Sequence, residues 1–361
     1  MLSINGRFLT QRITGVQRYA HEMLHALDGL LEAHPVNGMP EAELLVPPEV
    51  LQENLPALRN IAIRQIGRLH GHAWEQIELP RFAQGLVLNF CNTFPMAIPR
   101  QLVVIHDASI YASPEGYTPA FKAYYRVLFA TARYRNGIRV VTDSEFSRTE
   151  LQKFAGFKSS KMSVIHCGAD HWKRVTPDFA VLARLGLVDR PFLMAVGSEN
   201  KNKNIARLIE AFHKVSSPDI PLVLAGGKNA QVFSNIDALE GENLIRTGYL
   251  SDAELAALYS RALAFVFPSL YEGFGLPPLE AMYFGCPVVC SRMASLPEVA
   301  GDAALYCNAH DVDDIAACLQ KIIADKAMRE RLIQAGDEQV AKFTWRASAE
   351  KMLALAQSWQ R

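Results

Sequence analysis

The chain has 361 residues, half of them hydrophobic, and its 37 basic side chains balance its 37 acidic ones. A chain of this length predicts about two domains, and the even charge gives no indication of a nucleic-acid partner. Its 6 cysteines form no C-x-x-C pair, so we expect reduced thiols in the cores of a cytoplasmic protein. No signal-peptide core and no apolar run of about 18 residues is present, so we expect neither secretion nor a membrane span.

In the first half of the chain, short apolar segments alternate with segments of helical period. Strands are predicted at 43–47, 60–66, 86–90, 102–107, 139–144 and 162–166, and helices at 16–33, 73–84, 119–134 and 145–155. Apolar strands that alternate with helices are typical of a parallel sheet covered on both faces. The first half is therefore predicted to form one doubly wound α/β domain.

The second half repeats this alternation and ends in an amphipathic helix, 345–360. Strands are predicted at 192–197, 221–227, 243–248, 263–269, 287–291 and 303–307, with helices between and after them. The sequence thus predicts an α/β protein of two doubly wound, Rossmann-like domains, 1–172 and 173–344, that face each other across a cleft. Ligands of such sheets bind beyond the carboxyl ends of the strands, so the loops that follow the strands are the candidates for chemistry.

The segment YEGFGLPPLEAM, residues 271–282, follows one of these strands. Its Pro-Pro pair favours a helix start, where backbone amides and the positive dipole end can bind an anion. Gly273 and Gly275 allow the backbone to approach a ligand closely. Glu272 and Glu280 flank this anion site, an arrangement that suits the diphosphate, sugar and ribose of a nucleotide sugar. The alternative is a structural turn before a helix whose first-turn glutamate interacts with the dipole.

The loop GSENKNKN, 197–204, follows the first predicted strand of the second half. Gly197 and Ser198 open this loop, and Lys201 and Lys203 lie beside the start of the next helix. A lysine at this place can neutralise a diphosphate leaving group. The alternative is a pair of solvated loop lysines.

Three other segments carry weaker signals. In TGYLSD, 247–252, Ser251 or Asp252 is expected to cap the next helix, and the backbone before it could contact a base. In the first domain, Gly15 stands just before a helix. His106 lies at the end of a predicted strand, which favours a functional role, although a buried structural histidine is the alternative.

A D-x-D sequence, Asp311-Val312-Asp313, could suggest a metal-bound diphosphate. It opens a predicted helix at 314–323, so an N-cap and a first-turn acid explain it better. Cys286 and Cys290 have no histidine that would complete a metal site. We therefore expect no metal and no cofactor.

Taken together, these segments resemble the family-4 retaining glycosyltransferases of the GT-B fold, over essentially the whole chain. The segment EGFGLPPLEA is similar to the E-x7-E motif of that family, and GSENKNKN is similar to its donor-phosphate loop. The segment TGYLSD is similar to its base-contact loop, and TGVQRYA with IHD to its acceptor-side loops.

The resemblance implies roles for individual residues. Glu272 would bind the transferred sugar, Lys203 would bind the leaving diphosphate, and His106 would border the reacting centre. The implied donor-binding residues are Gly15, Gly197, Ser198, Lys201, Tyr249, Leu250, Gly273, Phe274, Gly275, Leu276 and Glu280. Many members have arginine where this chain has Asn202, and Lys201 is the candidate substitute. The terminal helix is implied to cross back onto the first domain.

The implied function is the retaining, metal-independent transfer of a hexose from a nucleoside-diphosphate sugar to a growing glycan. Mannose or a related hexose, and a lipid-linked acceptor in bacterial surface polysaccharide (lipopolysaccharide) assembly, are the expected substrates. The expected place is the cytoplasm, with peripheral contact at the inner face of the membrane through the basic and aromatic helix 121–135. An ordinary packing helix is the alternative for that segment. The rival functions are a glycoside hydrolase that uses Glu272 and Glu280, and a non-catalytic glycan-binding or assembly protein on the same scaffold.

Overall fold

The computed structural model describes residues 1–33, 41–52, 55–197, 201–215, 219–227 and 243–360. The chain divides into two compact units. The N-terminal unit comprises Met1–Gly168 together with Trp345–Arg361, and the C-terminal unit comprises Ala169–Thr344. The join predicted from the sequence, after residue 172, falls within the short 3-10 helix Asp170–Arg174 of the C-terminal unit.

The N-terminal unit is built on a parallel sheet of 7 strands in the order β3-β2-β1-β4-β5-β6-β7. The strands are β1 Leu2–Asn5, β2 Ala42–Val46, β3 Ala62–Gln65, β4 Leu86–Asn89, β5 Gln101–Val104, β6 Ile138–Thr142 and β7 Met162–Val164. Every residue of β1, β2, β4 and β5 is buried, as a sheet covered on both faces requires. The strand order reverses between β1 and β4, which is where sheets of this type bind ligands.

The helices of this unit connect the parallel strands. They are α1 Gly15–Ala33, α2 Gly71–Ala73, α3 Leu79–Phe82, α4 Ser109–Ala112, α5 Pro119–Tyr134 and α6 Glu145–Ala155. The side chain of Ser144 caps α6 by accepting a hydrogen bond from the amide of Ser147. The helix ends at Ala155 and is followed by Gly156, whose φ of 69° lies in the left-handed region that glycine adopts without strain.

The C-terminal unit is built on a second parallel sheet, of 6 strands in the order β10-β9-β8-β11-β12-β13. The strands are β8 Leu193–Val196, β9 Leu222–Ala225, β10 Leu244–Gly248, β11 Ala264–Phe267, β12 Val288–Ser291 and β13 Ala304–Cys307. Alternate residues of one strand enter different cores: Ala264 and Val266 pack in one cluster, Phe265 and Phe267 in the other. Because strand side chains alternate between faces, this pattern means that helices cover both faces of the sheet.

The remaining helices are α7 Ala180–Arg184, α8 Ile205–Lys214, α9 Asp252–Tyr259, α10 Leu276–Tyr283, α11 Leu296–Ala300, α12 Val312–Ala324, α13 Lys326–Val340 and α14 Trp345–Gln360. The last of these, α14, belongs to the N-terminal unit and packs against α1. The ring of Trp345 lies edge-on to Tyr19, with 5.5 Å between centroids. Ser348 Oγ donates to the carbonyl of His166 at 2.6 Å.

The two parallel sheets confirm the predicted pair of doubly wound α/β domains, and two local elements differ from the prediction. The strand β1 was not predicted, because its four residues are too few to show a period. The helix predicted at 73–84 is instead short α2, a π-helical segment Trp74–Glu78, and α3. Pro80 lacks the N–H that would continue an α-helical ladder through this segment. Within the described ranges, no helix is long and apolar enough to cross a membrane.

Candidate active site

The strand order of the C-terminal sheet reverses between β8 and β11, so these two strands are neighbours. The loop after β8 begins at Gly197 and leads to Lys203, and the loop after β11 carries Ser269 and Glu272. The loops therefore start at the same edge of the sheet, where ligands of doubly wound folds bind. Ser198, which was predicted to bind the donor, lies outside the described residues.

Lys203 and Glu272 form an ion pair at this edge. Lys203 Nζ lies 2.7 Å from Glu272 Oε1, and the two side chains are only 18% and 13% exposed. The ammonium group also lies 4.8 Å from the ring centroid of Phe267, which adds a cation–π contact. Gly197, with a φ of 153°, leaves room for the lysine stem, since a Cβ there would lie 3.3 Å from Lys203 Cδ. The structure thus brings together a cation and a carboxylate that the sequence places 69 residues apart.

Backbone contacts hold the two loops together. The carbonyl of Asn202 accepts hydrogen bonds from the amide of Leu270 and the hydroxyl of Ser269, each at 2.7 Å. Asn204, in the left-handed conformation, donates through Nδ2 to the carbonyls of Pro268 at 3.0 Å and Ala309 at 2.7 Å. Asn202 therefore positions the loop through its backbone. Lys201 is exposed in the same turn of 3-10 helix.

The glycine-rich loop is fixed by a buried serine that is not among the predicted site residues. The hydroxyl of Ser295 lies 2.9 Å from the carbonyl of Glu272 and 2.6 Å from that of Phe274. The ring of Phe274 is buried and packs edge-on to Phe343, at 5.8 Å between centroids. Only the backbone of Phe274 can therefore serve a ligand. Gly275 has a φ of 107°, and a Cβ there would lie 2.7 Å from Leu296 Cδ2.

The amino end of α10 offers fewer amide donors than an ordinary helix. A helix leaves its first N–H groups without an intrahelical partner, but Pro277 and Pro278 have no N–H to offer. Gly275 and Leu276, both predicted donor-binding residues, supply the amides at this end. The backbone of Gly273 lies two residues before Gly275 in the same loop. The amides available at this end are therefore those of the loop and of the first helical residue.

Glu280 lies deeper than Glu272. It is buried on α10, and Tyr259 Oη donates to its Oε2 at 3.3 Å. Its Oε1 lies 3.8 Å from Nε2 of buried His171. Burial, followed by the adjacent Glu280 carboxylate, raises the pKa of Tyr259 well above its ordinary value, so this hydroxyl stays a donor. No local sequence pattern indicates that Tyr259 and His171 contact Glu280, because both come from other elements of the unit.

A pocket of about 210 Å³ lies at the carboxyl ends of β8, β9 and β10. Its lining residues are Ala195, Gly197, Ile205, Leu224, Ala225, Gly226, Arg246, Thr247 and Gly248. The two residues after Gly248 belong to the predicted base-contact loop. Tyr249 is exposed, and Leu250 packs against the core. The Tyr249 ring lies against Gly227, where a Cβ would be 2.3 Å from Tyr249 Cε2. The pocket and the exposed ring can together accommodate a nucleoside. Arg246, which lines the pocket, is not among the predicted site residues.

Gly15, in the N-terminal unit, is the first residue of α1 and is exposed. A Cβ added there would meet no atom within 4 Å, so protein packing does not require glycine at this position. The preceding turn is ordered by side chains, since the Thr14 hydroxyl donates to Gln17 and Gln17 Nε2 donates to Gln11 Oε1 at 2.8 Å. An exposed glycine at an ordered helix start is compatible with the close approach of a ligand.

His106 is buried in the N-terminal unit, and both of its ring nitrogens have partners. Nε2 donates to the carbonyl of Phe90 at 2.8 Å, and Nδ1 lies 2.6 Å from Asp143 Oδ2. Burial lowers the pKa of His106, but the charge and hydrogen bond of Asp143 outweigh it and raise the pKa above its ordinary value. Asp143 therefore stabilises the imidazolium form relative to the neutral ring, and the direct contacts of His106 are structural.

The D-x-D sequence caps a helix, as its place in the sequence indicates. Asp311 accepts hydrogen bonds from the amides of Asp313 and Asp314 at the start of α12. Asp313 forms an ion pair with Lys214 at 2.5 Å. Among the residues described here, no group of three or more His, Cys, Asp or Glu side chains could hold a metal ion.

Comparison with known proteins identifies the family. A model for group 1 glycosyl transferases matches residues 183–339. The O-antigen chain mannosyltransferase B of Escherichia coli is 33% identical over 261 residues, which cover 70% of this chain and 68% of that protein. The serotype-specific mannosyltransferase WbdA of Escherichia coli is 30% identical over 280 residues, covering 72% of this chain. The chain spans only 34% of that longer protein.

Solved structures show the same fold at low identity. Sucrose-phosphate synthase from Thermosynechococcus elongatus matches with a TM-score of 0.75 and 19% identity, covering 99% of this chain and 98% of that one. Anabaena HepE in complex with UDP and glucose matches with a TM-score of 0.72 and 16% identity, covering 99% and 100%. The predicted α/β fold of the GT-B class is confirmed. The chain belongs to the group 1 glycosyl transferases, and it is a glycosyltransferase with two doubly wound units.

Proposed function

We propose that this chain transfers a mannosyl or related hexosyl group from a nucleoside-diphosphate sugar to a growing glycan, with retention at the anomeric carbon. The observation that carries the proposal is the pairing of Lys203 with Glu272 at the carboxyl ends of β8 and β11. The names of the relatives support the choice of sugar, since both Escherichia coli proteins are mannosyltransferases. The link to surface polysaccharide, with lipopolysaccharide as the expected product class, rests on the O-antigen chain in the first name.

The donor would bind through groups of opposite charge on the two loops. Lys203 and the amides at the start of α10 supply positive potential for the diphosphate. Glu272, on the neighbouring loop, would accept hydrogen bonds from the sugar hydroxyls. Because Lys203 and Glu272 contact each other, a bound diphosphate competes with the carboxylate for the lysine. The nucleoside would lie in the pocket lined by Gly248, with Tyr249 beside the base and Glu280 toward the ribose.

The proposed reaction replaces one bond at the anomeric carbon. The bond from C1 to the diphosphate oxygen breaks, and a bond from C1 to the acceptor oxygen forms on the same face of the sugar. The departing phosphate oxygen takes the proton of the acceptor hydroxyl. A double displacement would need a carboxylate as nucleophile. Glu280 accepts from Tyr259 and lies beside His171, which does not favour that role.

The proposed reaction needs no metal ion. Lys203 and the backbone amides supply the positive charge that the departing diphosphate needs. Asp311, half of the D-x-D sequence, is engaged in capping α12. We expect activity to survive EDTA, and a requirement for a divalent metal would return Asp311 and Asp313 to consideration as ligands.

The proposed acceptor is lipid-linked, at the cytoplasmic face of the membrane, and α5 is the proposed contact. Two of the four basic residues of the segment 121–135 have internal acceptors, because Arg133 donates to the carbonyl of Ala155 and Arg135, just after α5, to that of Met96. Lys122 and Arg126 are therefore the candidates for contact with the membrane. A Lys122→Glu/Arg126→Glu variant should lose co-sedimentation with anionic vesicles, and equal binding by the variant and the wild type would reject the contact.

The first test combines binding with product analysis. A thermal-shift screen with UDP, GDP, dTDP and their hexoses should find one nucleotide that raises the melting temperature. Proton NMR of the product made from the matching sugar donor should then show an α-linked signal from an α-linked donor. Inversion would remove the retaining assignment. Release of free hexose with no acceptor requirement would favour a hydrolase, and nucleotide binding without turnover would favour a non-catalytic protein.

A further inference from the structure

A short helix at the entry to the C-terminal unit packs on α10, the helix that carries Glu280. This 3-10 helix, Asp170–Arg174, begins just after the chain enters the unit. Its residues His171 and Trp172 are buried, at 2% exposed each. His171 faces Glu280, and the ring of Trp172 lies edge-on to Phe284, with 5.2 Å between centroids. Glu280 and Phe284 are one helical turn apart, so both contacts fall on one face of α10.

The carboxylate of Glu280 has a partner at each of its oxygens. Nε2 of His171 lies 3.8 Å from Oε1, and the hydroxyl of Tyr259 donates to Oε2 at 3.3 Å. The side chain of His171 is 1% exposed, whereas that of Glu280 is 12% exposed. Part of this carboxylate is therefore open to a ligand, while two buried groups hold it from within the unit.

Aromatic packing fixes the direction of the imidazole. The ring of His171 lies 4.9 Å from that of Trp172, which in turn packs edge-on to Tyr259 at 6.2 Å. Tyr259 stacks on Phe284 at 5.9 Å. His171 and Tyr259 therefore approach Glu280 from one packed group of rings, so neither side chain is free to turn away from the carboxylate.

The polar contact is more than packing requires. A buried imidazole and a buried carboxylate both lose solvation, whereas an apolar pair of similar size would fill the same space without that loss. The carboxylate involved is the one proposed to lie toward the ribose of the nucleotide. A ribose offers neighbouring 2′ and 3′ hydroxyls, and a carboxylate can accept from both only if its two oxygens are held toward them.

We infer that His171 is a positioning residue for nucleotide binding, which orients the Glu280 carboxylate toward the 2′ and 3′ hydroxyls of the ribose. This inference rests on the proposed nucleoside-diphosphate donor, and it names the residue that sets the recognition of its ribose. Removal of the imidazole takes away one of the two groups that hold the carboxylate, which can then rotate. The loss of affinity should appear for nucleotides that have both hydroxyls and be absent for nucleotides that have neither.

The experiment compares UDP and GDP with their 2′,3′-dideoxy analogues by titration calorimetry on the whole chain. The wild type should bind the ribonucleotide of its preferred base more tightly than the dideoxy analogue. His171→Leu removes the polar contact and keeps a buried apolar side chain. It should weaken binding of the ribonucleotide about tenfold and leave the Kd of the dideoxy analogue unchanged. His171→Gln, whose amide nitrogen can take the place of Nε2, should retain the preference for the ribose.

Turnover gives a second measurement of the same effect. A contact with the ribose is made equally in the ground state and in the transition state, because the ribose is remote from the bond that breaks. His171→Leu should therefore raise KM for the nucleotide sugar and leave kcat close to that of the wild type.

Two further variants separate positioning from a general loss of structure. Trp172→Phe perturbs the same buried helix but keeps His171 and Glu280, so it should lower the melting temperature and leave the preference for the ribose unchanged. Glu280→Ala should lose that preference. Addition of His171→Leu to Glu280→Ala should weaken nucleotide binding no further, because the histidine acts through the carboxylate.

The outcomes distinguish the inference from the proposed function. An unchanged ribose preference in folded His171→Leu, or equal weakening for the dideoxy analogue, would overturn the inference and leave the proposed function standing. Binding of dTDP, with no binding of UDP or GDP, would also overturn the inference alone, because dTDP lacks the 2′ hydroxyl. A wild type that binds none of the three nucleotides would overturn the proposed donor.

Discussion

Replacement of Glu272 by glutamine should separate nucleotide binding from transfer. The change keeps the size of the side chain but removes its charge, so Lys203 loses its carboxylate partner at 2.7 Å. In the proposed mechanism that carboxylate competes with the diphosphate for the lysine. We therefore expect Glu272→Gln to lose transfer and, at the same time, to bind the free nucleoside diphosphate more tightly.

The expected magnitudes follow from the burial of the pair. Exposed ion pairs are worth about 0.2–1 kcal/mol, whereas loss of one partner from a buried pair costs about 3–5 kcal/mol. With side chains 18% and 13% exposed, this pair lies between the two, so unfolding should become easier by about 1–2 kcal/mol. Release of about 1 kcal/mol of competition lowers the Kd of the nucleotide roughly fivefold. Loss of sugar contacts in the transition state should lower turnover about a hundredfold or more.

Titration calorimetry measures the Kd of the nucleotide that the thermal-shift screen selects. Product formation measures the turnover. Glu330→Gln is the control, because it breaks an exposed Lys–Glu pair, Lys326–Glu330 at 3.7 Å, in the same unit. That variant should match the wild type in both assays. Weaker nucleotide binding by Glu272→Gln, or turnover near that of the wild type, would refute the competition between carboxylate and diphosphate.

Four further predictions concern single residues. Gly15→Ala should lower transfer while the melting temperature is kept, whereas Gly29→Ala, also unobstructed in α1, should keep both; equal activity would place Gly15 away from the ligand. Lys201→Ala should lower kcat if Lys201 supplies the positive charge next to Asn202, and an unchanged kcat excludes that role. The pKa of His106 is raised in the folded state, so the protonated ring stabilises the fold fully below about pH 6.5, and this stabilisation is lost as the pH rises through the folded pKa. The free energy of unfolding of His106→Gln should lack this decrease with pH. Asp311→Ala should lower stability by about 1 kcal/mol through loss of the α12 cap, with transfer unchanged, whereas loss of transfer would contradict the cap assignment.

The parts of this molecule that the sequence could predict are those with local causes. Apolar runs place most strands within a residue or two, and the Gly-Phe-Gly and Pro-Pro pattern predicts the turn into α10. Contacts between distant segments could not be predicted, because no local pattern encodes them. Tyr259 reaches Glu280 across 21 residues, and Arg7 reaches Glu75 across 68. The π-helical segment was missed for a related reason, since its apolar spacing is compatible with an ordinary helix.

The helix α14 makes the N-terminal unit depend on a segment that follows the C-terminal unit in the chain. Trp345 packs against Tyr19 of α1, so this unit lacks one of its packing partners until α14 has been synthesised. The C-terminal unit is continuous from Ala169 to Thr344 and has all of its residues earlier. On the ribosome, the unit that is translated second can therefore be the first to finish folding, against the usual N-terminal-first order. A premature stop in α14 should for the same reason damage the unit of which most is translated first.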